Sequence, residues 1–491
     1  MNVILNNNGL IIDCDEFIKL YTKSRYMKFQ KYYTIKYLNK IVNVTISTKM
    51  YSLVKDTETG RMYMILPRFT IYDLYKKNMI SSIKSNLTNG KDINMTYIGK
   101  SNYNQNIIID HVINNIFPKQ LDEFKGCTLK VMAGLGKTYI AMDIISKINK
   151  KTLIIVPNTY LLEQWVQLLK QYFPNNTIGV LYCKKKVDGD IIVAIINSVV
   201  SCNSFIYKKE LIDFDDILQK TGLVIFDESQ SYVSKTFRSV YKKLYSNITI
   251  GLSATPDIKI DGLDRIHVSN IGPILDAESI DGYEKSLDMF ISEVMLVRYQ
   301  GPDEHTQFIL REDGLLDYQN LLENIITDER RNLFIIDKII EMVNMKLNIF
   351  IFSDRRSHIE NLYDLLIELV EKNKLSTSIN LPESNKSIIL YGGVKKNIIQ
   401  EAQNYSKIIF TTYQYSSTGV SIIKMNGLIL ATPRTSNMKQ IINRIFRLGS
   451  DQNVKRYIID IIDNKTPLKH QYRKRLISYK DRNCEIKFLD Y

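Results

Sequence analysis

No run of apolar residues in this chain approaches the length of a membrane-spanning helix, so a transmembrane protein is not expected. The five cysteines, Cys14, Cys127, Cys183, Cys202 and Cys484, have no CxxC spacing, and the five histidines do not pair with them. That argues against a zinc framework and a disulfide scaffold, leaves no metal site beyond one that travels with a nucleotide, and fits an intracellular, reducing compartment. Met1 to Phe17 has no cationic start before its apolar residues and is broken by Asn6, Asn7, Asn8 and Asp13, so no secretory leader is expected. Internal repeats, low-complexity tracts, zinc-finger patterns and recognition-helix patterns are also missing.

What is present belongs to a globular chain. At 491 residues, with 45% hydrophobic and 24% charged residues, there is material for about two to four domains with proper cores. Lys and Arg total 66 against 52 Asp and Glu, a net +14, and such an excess favours a polyanionic partner such as nucleic acid.

Residues 1–95 read as a small α+β domain with a helix-like start. Tyr51 to Val54 and Arg61 to Leu66 flank Asp56-Thr-Glu-Thr-Gly60 as a hairpin would. Tyr21, Tyr26, Tyr32, Tyr33 and Tyr37 interleave with Lys23, Lys28, Lys31 and Lys36, a pattern that can grip a nucleic-acid backbone and stack bases. Half-buried strands with a solvated lysine face are the plainer reading of the same stretch. From 96 to 275 short β-rich runs (Leu153 to Val156, Ile191 to Ile195, Leu223 to Phe226, Ile248 to Leu252) alternate with helical or polar segments, as in a parallel sheet covered by helices. Regularity fades over 276–328, read as a link, and a second alternating series fills 329–462. Residues 463–491 read as a basic tail (Lys465, Lys469, Arg473, Lys474, Arg475, Lys480).

The chemistry centres on Val131-Met-Ala-Gly-Leu-Gly-Lys-Thr138, which joins a strand-like run to a helix-like one. Ala133, Gly134, Leu135 and Gly136 let the backbone curl so that N–H groups and a helix N-terminus face a polyphosphate. Lys137 is placed to reach the β- and γ-phosphates of ATP and the Thr138 hydroxyl to bind Mg²⁺. The first glycine of the usual phosphate loop is replaced by Val131. Further on, the apolar strand Leu223-Val-Ile-Phe226 ends in Asp227-Glu228-Ser-Gln230. A carboxylate there can hold Mg²⁺, and its neighbour can orient an attacking water, so Asp227 is assigned to the metal and Glu228 to the water. Ser253-Ala-Thr255 ends the next strand, where small hydroxyl residues can sense the nucleotide. Gln440, Arg444 and Arg447 stand at i, i+4 and i+7 of a predicted helix, Met438 to Phe446, and so share one face. An arginine finger of this kind contributes roughly 10³ to 10⁵ in rate, or about 4 to 7 kcal/mol.

In this order the segments resemble the superfamily 2 helicases and translocases, over residues from about 100 to 462. The resemblance implies two tandem RecA-like parallel-sheet lobes, ATP and Mg²⁺ as cofactors, and DNA or RNA bound without strong sequence preference. It implies that Gln105 reads adenine and that Pro157, Asn158 and Gln164, from Val156-Pro-Asn-Thr-Tyr-Leu-Leu-Glu-Gln-Trp165, lie near a nucleic-acid phosphate. Thr411 and Thr412 take the same role in the second lobe, and Gln230, Ser253, Thr255 and Gly419 couple the two functions. Gln230 stands where many members carry histidine, and Asn443 replaces the glycine of QxxGRxxR. A narrower likeness, through Ala431-Thr-Pro-Arg434 and Arg447-Leu-Gly-Ser-Asp451, is to superfamily 2 helicases of the large cytoplasmic DNA viruses, among them African swine fever virus and poxvirus members. That implies a place in viral transcription or replication, in host cytoplasm and virion, with viral RNA polymerase as a candidate partner and no membrane. A duplex translocase that does not unwind, and a nucleic-acid-binding transcription factor whose ATPase has decayed, remain alternatives.

Overall fold

Strands buried on both faces read as continuous β-branched runs, because a crossover helix must cover each side of a parallel sheet. The computed structural model has this arrangement twice. It describes residues 1–491 except 21–22, 40–43, 133, 184, 203, 208–209, 235, 257–262, 285–289, 308–309, 372–386, 393, 395, 417–421 and 448–449. The chain divides into two compact units, Met1–Met132 with Gly136–Glu284, and Lys285–Tyr491 with the short segment 133–135.

In the first unit an eight-stranded sheet runs in the order Lys185–Val187, Ile178–Tyr182, Ile191–Ile195, Thr152–Val156, Leu223–Asp227, Ile248–Ser253, Lys125–Lys130, Ile274–Asp276. Neighbours are parallel except for the first pair. Thr152–Val156, Ile191–Ile195 and Leu223–Asp227 are buried at every residue. Because Leu223–Asp227 and Lys125–Lys130 both flank Ile248–Ser253, the loops leaving these three strands emerge side by side. That is where a parallel sheet places its ligands.

Residues 1–95 begin with a hairpin and not with a helix. Val3 and Leu5 are buried and alternate with more exposed neighbours, which is strand periodicity, and the chain turns at Gly9, whose φ of +139° disfavours a side chain. Asn2–Asn6 and Gly9–Asp13 sit within a five-stranded sheet with Ser82–Ser85, Met62–Leu66 and Ser52–Lys55. The last two form the expected hairpin. Its turn is held by Asp56, whose Oδ1 accepts from Glu58 and Thr59 N–H at 2.8 and 2.9 Å. This sheet is pinned to the larger one by buried Arg68, which donates to the carbonyls of Ser246 at 3.3 Å, Asn7 at 3.2 Å and Leu244.

The second unit holds a seven-stranded sheet, parallel throughout, in the order Ser387–Leu390, Ile408–Thr412, Ile349–Ser353, Gly427–Leu430, Arg456–Asp463, Ser292–Tyr299, Glu485–Asp490. Two of these strands lie in stretches read from sequence as link and tail. Ser292–Tyr299, in the supposed link, pairs along its full length with Arg456–Asp463. The supposed tail forms a helix, Tyr472–Lys480, and the edge strand Glu485–Asp490. Its cationic character misled because Arg475 is buried, with Nε 2.8 Å from Asp460 Oδ2, and Tyr479 donates to the same oxygen at 2.7 Å. A second buried pair, Arg331 to Asp463 at 2.8 Å, joins the helix Glu329–Asn344 to the sheet. Removing one partner of such a pair costs about 3–5 kcal/mol because the other is left charged and dry.

His358, buried in the helix Arg356–Glu371, bridges two elements. Its Nδ1 accepts from Ser353 Oγ at 3.0 Å and its Nε2 lies 2.9 Å from Asn332 Oδ1. Burial, helped by nearby Arg331, pushes its pKa down to about 3, so the native ring stays neutral. The unfolded ring has a pKa of about 6.5. Between those values the unfolded state binds the extra proton, so stability is full above pH 6.5 and falls as pH drops towards 3. We expect His358→Gln to flatten the pH profile of the unfolding free energy, measured in urea, between pH 6.5 and 4 by up to about 1.4 kcal/mol per pH unit. An unchanged slope would mean that the ring is protonated in the native protein.

Candidate nucleotide-binding site

The loop between Lys125–Lys130 and the helix Lys137–Ile148 has the backbone that a phosphate cradle requires. Gly134 has φ +90° and Gly136 φ +83°, both in the left-handed region. Gly136 caps the helix without any side-chain acceptor, leaving the first-turn N–H groups uncapped by side chains. Lys137 and Thr138 open this helix. Ala133 lies outside the described residues, and Leu135 is half-buried. Val131 does not belong to the curl. It is buried, and its N–H donates to Ser253 O at 3.1 Å, extending the strand by one residue, so a larger side chain fits there.

Gln105 comes to this loop from the helix Tyr103–Asp110. Its Oε1 accepts from Asn102 N–H at 2.9 Å while Asn102 Oδ1 accepts from Gln105 N–H at 3.0 Å, a reciprocal capping box. The amide is thereby aimed so that a Cβ on Gly136 would lie 2.3 Å from its Nε2. Glycine at 136 is needed for this approach as well as for its φ.

Asp227 is buried at the end of its strand. Its Oδ2 accepts from Trp165 Nε1–H at 2.8 Å and its Oδ1 from Glu228 N–H at 3.0 Å. Burial and adjacent Glu228 push its pKa up to about 6, against the pull of Trp165 and Lys137. Glu228 follows with φ +51°, left-handed for a non-glycine residue, which is backbone strain. From Glu228 a hydrogen-bonded chain crosses to the next strand. Gln230 Nε2 donates to Glu228 Oε2 at 2.6 Å, Ser253 Oγ–H donates to Gln230 Oε1 at 2.6 Å, and Thr255 N–H donates to Ser253 Oγ at 3.0 Å. An amide can donate at one end and accept at the other, so glutamine completes this relay in place of histidine.

The sequence reading missed Trp165 and Tyr232. Trp165 is the only tryptophan of the chain, and buried Tyr232 has its hydroxyl 2.7 Å from Asp227 O and 3.0 Å from Ile155 O. The signal for Trp165 was its place on the helix Thr159–Tyr172, whose start is capped by Asn158. Asn158 Oδ1 accepts from Leu161 N–H at 3.0 Å, so this side chain is engaged in holding the helix, beside half-buried Pro157 and Gln164.

In the second unit the structure corrects one expectation. Met438–Ile442 is α-helical, but Asn443–Ile445 tightens to a 3₁₀ turn and Arg447 lies beyond it, so Gln440, Arg444 and Arg447 do not share one α-helical face. Phe446 N–H donates to Asn443 O at 3.3 Å, which closes the tighter turn, and two guanidinium groups hold the segment: Arg456 Nε donates to Ile445 O at 2.6 Å, and Arg482 Nε to Asn443 Oδ1 at 2.7 Å. Arg444 is buried, whereas Gln440 and Arg447 are half-buried. Thr411 is buried in its strand and not at a surface, and Thr412 Oγ1 accepts from Tyr415 N–H at 3.3 Å. Gly419 lies outside the described residues.

Comparison with known proteins gives the family. The family described as type III restriction enzyme, res subunit, matches residues 98–258. A protein of African swine fever virus named as an ATP-dependent RNA helicase, QP509L, is 30% identical over 393 residues, covering 76% of this chain and 72% of its own. The chain belongs to the superfamily 2 helicases. This helicase is also 28% identical to the mimivirus protein L396, over 75% of its length and 65% of the relative. It is 24% identical to the transcript termination protein A18 of Yaba-like disease virus, over 65% and 64%. Yeast Dbp5 bound to RNA and ADP BeF3 shares the fold, with a TM-score of 0.51 at 14% identity over 78% of this chain and 89% of that one. Among the described residues, no helix is long and apolar enough to cross a membrane.

The residues fit ATP and Mg²⁺. A left-handed glycine curl, an uncapped helix N-terminus, a lysine, a hydroxyl and a buried carboxylate are the donor set that a metal–polyphosphate needs. Trp165→Phe keeps the ring packing but leaves Asp227 Oδ2 without its indole donor. We expect a loss of about 1–3 kcal/mol in urea denaturation. A loss below about 0.5 kcal/mol, within the range of ordinary surface substitutions, would show that this bond does not hold the carboxylate.

Proposed function

We propose that this helicase hydrolyses ATP to ADP and phosphate and uses the cycle to move along and separate nucleic acid in viral transcription, at the stage of transcript release. The relay from Glu228 through Gln230 to Ser253 and Thr255 carries the reading, since it links the proposed water-orienting carboxylate to the strand end beyond it. The name of the relative from Yaba-like disease virus supports the stage.

In this reading the backbone of residues 133–136 and Lys137 hold the polyphosphate, Thr138 and Asp227 hold Mg²⁺, and Gln105 faces the adenine. The metal, when bound, neutralises charge on the phosphates. Glu228, strained and hydrogen-bonded to Gln230, orients the attacking water and passes its state to Ser253 through that amide. Arg444 and Arg447 supply positive charge for the phosphate as it leaves, and Gln440 a neutral amide beside them. Pro157, Asn158, Gln164, Thr411 and Thr412 belong to the segments proposed to lie along the nucleic acid, and Gly419 joins Gln230, Ser253 and Thr255 in coupling the two functions. For Asn158 and Thr411 this means a contribution through the backbone, because the Asn158 side chain caps a helix and Thr411 is buried.

Steady-state ATPase assays with single-stranded DNA, duplex DNA and RNA test the proposal. Polymer-stimulated hydrolysis is expected, lowered roughly 10²-fold or more in Lys137→Ala and roughly 10³-fold or more in Arg447→Ala. No hydrolysis with any polymer would leave a binding protein whose ATPase has decayed. A parallel strand-displacement assay separates an unwinding enzyme from a translocase. Because the sole tryptophan donates to Asp227, adding Mg²⁺ with a non-hydrolysable ATP analogue should change its emission. An unchanged spectrum, with nucleotide binding verified separately, would place Mg²⁺ away from Asp227.

A further inference from the structure

Away from the phosphate loop, the first unit has a groove of about 270 Å³ where the N-terminal sheet meets the larger one. Its walls are the segment Lys49–Ser52, the strand end Ile65–Pro67, the 3₁₀ helix Phe237–Lys242 and one side of the helix Asp264–Ile271. Lys49, Arg238 and Lys242 line it, with no Asp or Glu among the lining residues. Among the described residues none of the three cations is in an ion pair, whereas other basic residues of this unit, such as Lys130, Lys150 and Lys151, are paired with aspartates. Tyr51, with the Lys49 ammonium 5.8 Å from its ring centroid, adds an aromatic face, and Asn8 and Asn270 add neutral polar groups.

Three like charges along one groove repel one another unless something anionic lies between them. The fold nevertheless fixes the walls. Arg68, next to Pro67, donates to the Leu244 and Ser246 carbonyls just beyond Lys242, and Asn7 Nδ2 donates to Lys242 O at 3.3 Å. Such a pre-set, uncompensated cationic channel with an aromatic face suits a phosphodiester backbone, which offers a row of anions and bases that can stack.

We propose that this groove is a second nucleic-acid site, which holds the sugar–phosphate backbone of the strand on which the helicase acts. It rests on the nucleic-acid reading above and gives the N-terminal sheet a part in it. The test is binding of labelled single-stranded DNA, single-stranded RNA and duplex DNA to the full chain, followed by anisotropy across a salt series. Lys49→Gln/Arg238→Gln/Lys242→Gln should lower affinity about tenfold or more near 0.1 M salt and reduce the salt slope by about 2 to 3. The urea midpoint should stay at the wild-type value. The arms show which polymer depends on the three charges. Lys242→Glu alone, at an exposed position, should give a smaller loss of the same kind and guards against misfolding of the triple variant. Wild-type binding with unchanged affinity and slope in both variants overturns the groove and leaves the helicase reading intact. No wild-type binding to any of the three polymers overturns that reading as well. Polyglutamate that competes only through these three residues, with nucleic acid unaffected by their loss, assigns the groove to an acidic protein and overturns the proposal.

Discussion

A carboxylate buried at the end of a hydrophobic strand is the constraint around which the first unit is built. Asp227 gives up hydration on entering that position, and burial alone would favour its protonated form. Two N–H donors hold it, one from its own chain neighbour and one from Trp165. The indole comes from a helix that starts at the Asn158 cap, so the capping of one element sets the orientation of a group on another. The strands Leu223–Asp227 and Ile248–Ser253 then place Gln230 between Glu228 and Ser253.

The second unit uses buried charge differently. Asp460 and Asp463 lie on one strand and each meets a buried arginine, Arg475 from the C-terminal helix and Arg331 from the helix Glu329–Asn344. These pairs fix which helix covers which part of the sheet, because neither arginine can withdraw without leaving an aspartate dry. Arg456 and Arg482 act on main-chain and amide oxygens instead, holding Ile445 and Asn443 where the chain has left the helix that carries Gln440.

Polar side chains in this protein thus work mostly by fixing geometry. Arg68 ties the N-terminal sheet to the larger one through main-chain carbonyls, and the Asn102–Gln105 capping box aims an amide at Gly136. The Arg68 bonds join residues distant in sequence and the capping box is local, but in both the cost of leaving a buried donor or acceptor unpaired makes the arrangement specific.

By itself the sequence determined the alternation of β-rich runs and helices, the phosphate loop, the Asp227-Glu228 strand end and the order of segments that marks a superfamily 2 helicase. All of these are local patterns, set by hydrophobic period and by small or charged residues at fixed offsets. It could not show that Ser292–Tyr299 is an internal strand or that Arg475 is buried, since both depend on partners far along the chain, Arg456–Asp463 and Asp460. Nor could it show that the helix from Met438 stops at Ile442, because helical spacing continues past the point where Phe446 N–H takes the Asn443 carbonyl. Nothing in the local pattern links Trp165 to Asp227; the fold brings its N–H there. Periodicity reports which face of an element is buried; only the tertiary structure decides which buried polar groups meet, because hydrogen bonds and ion pairs require partners at a fixed distance and angle.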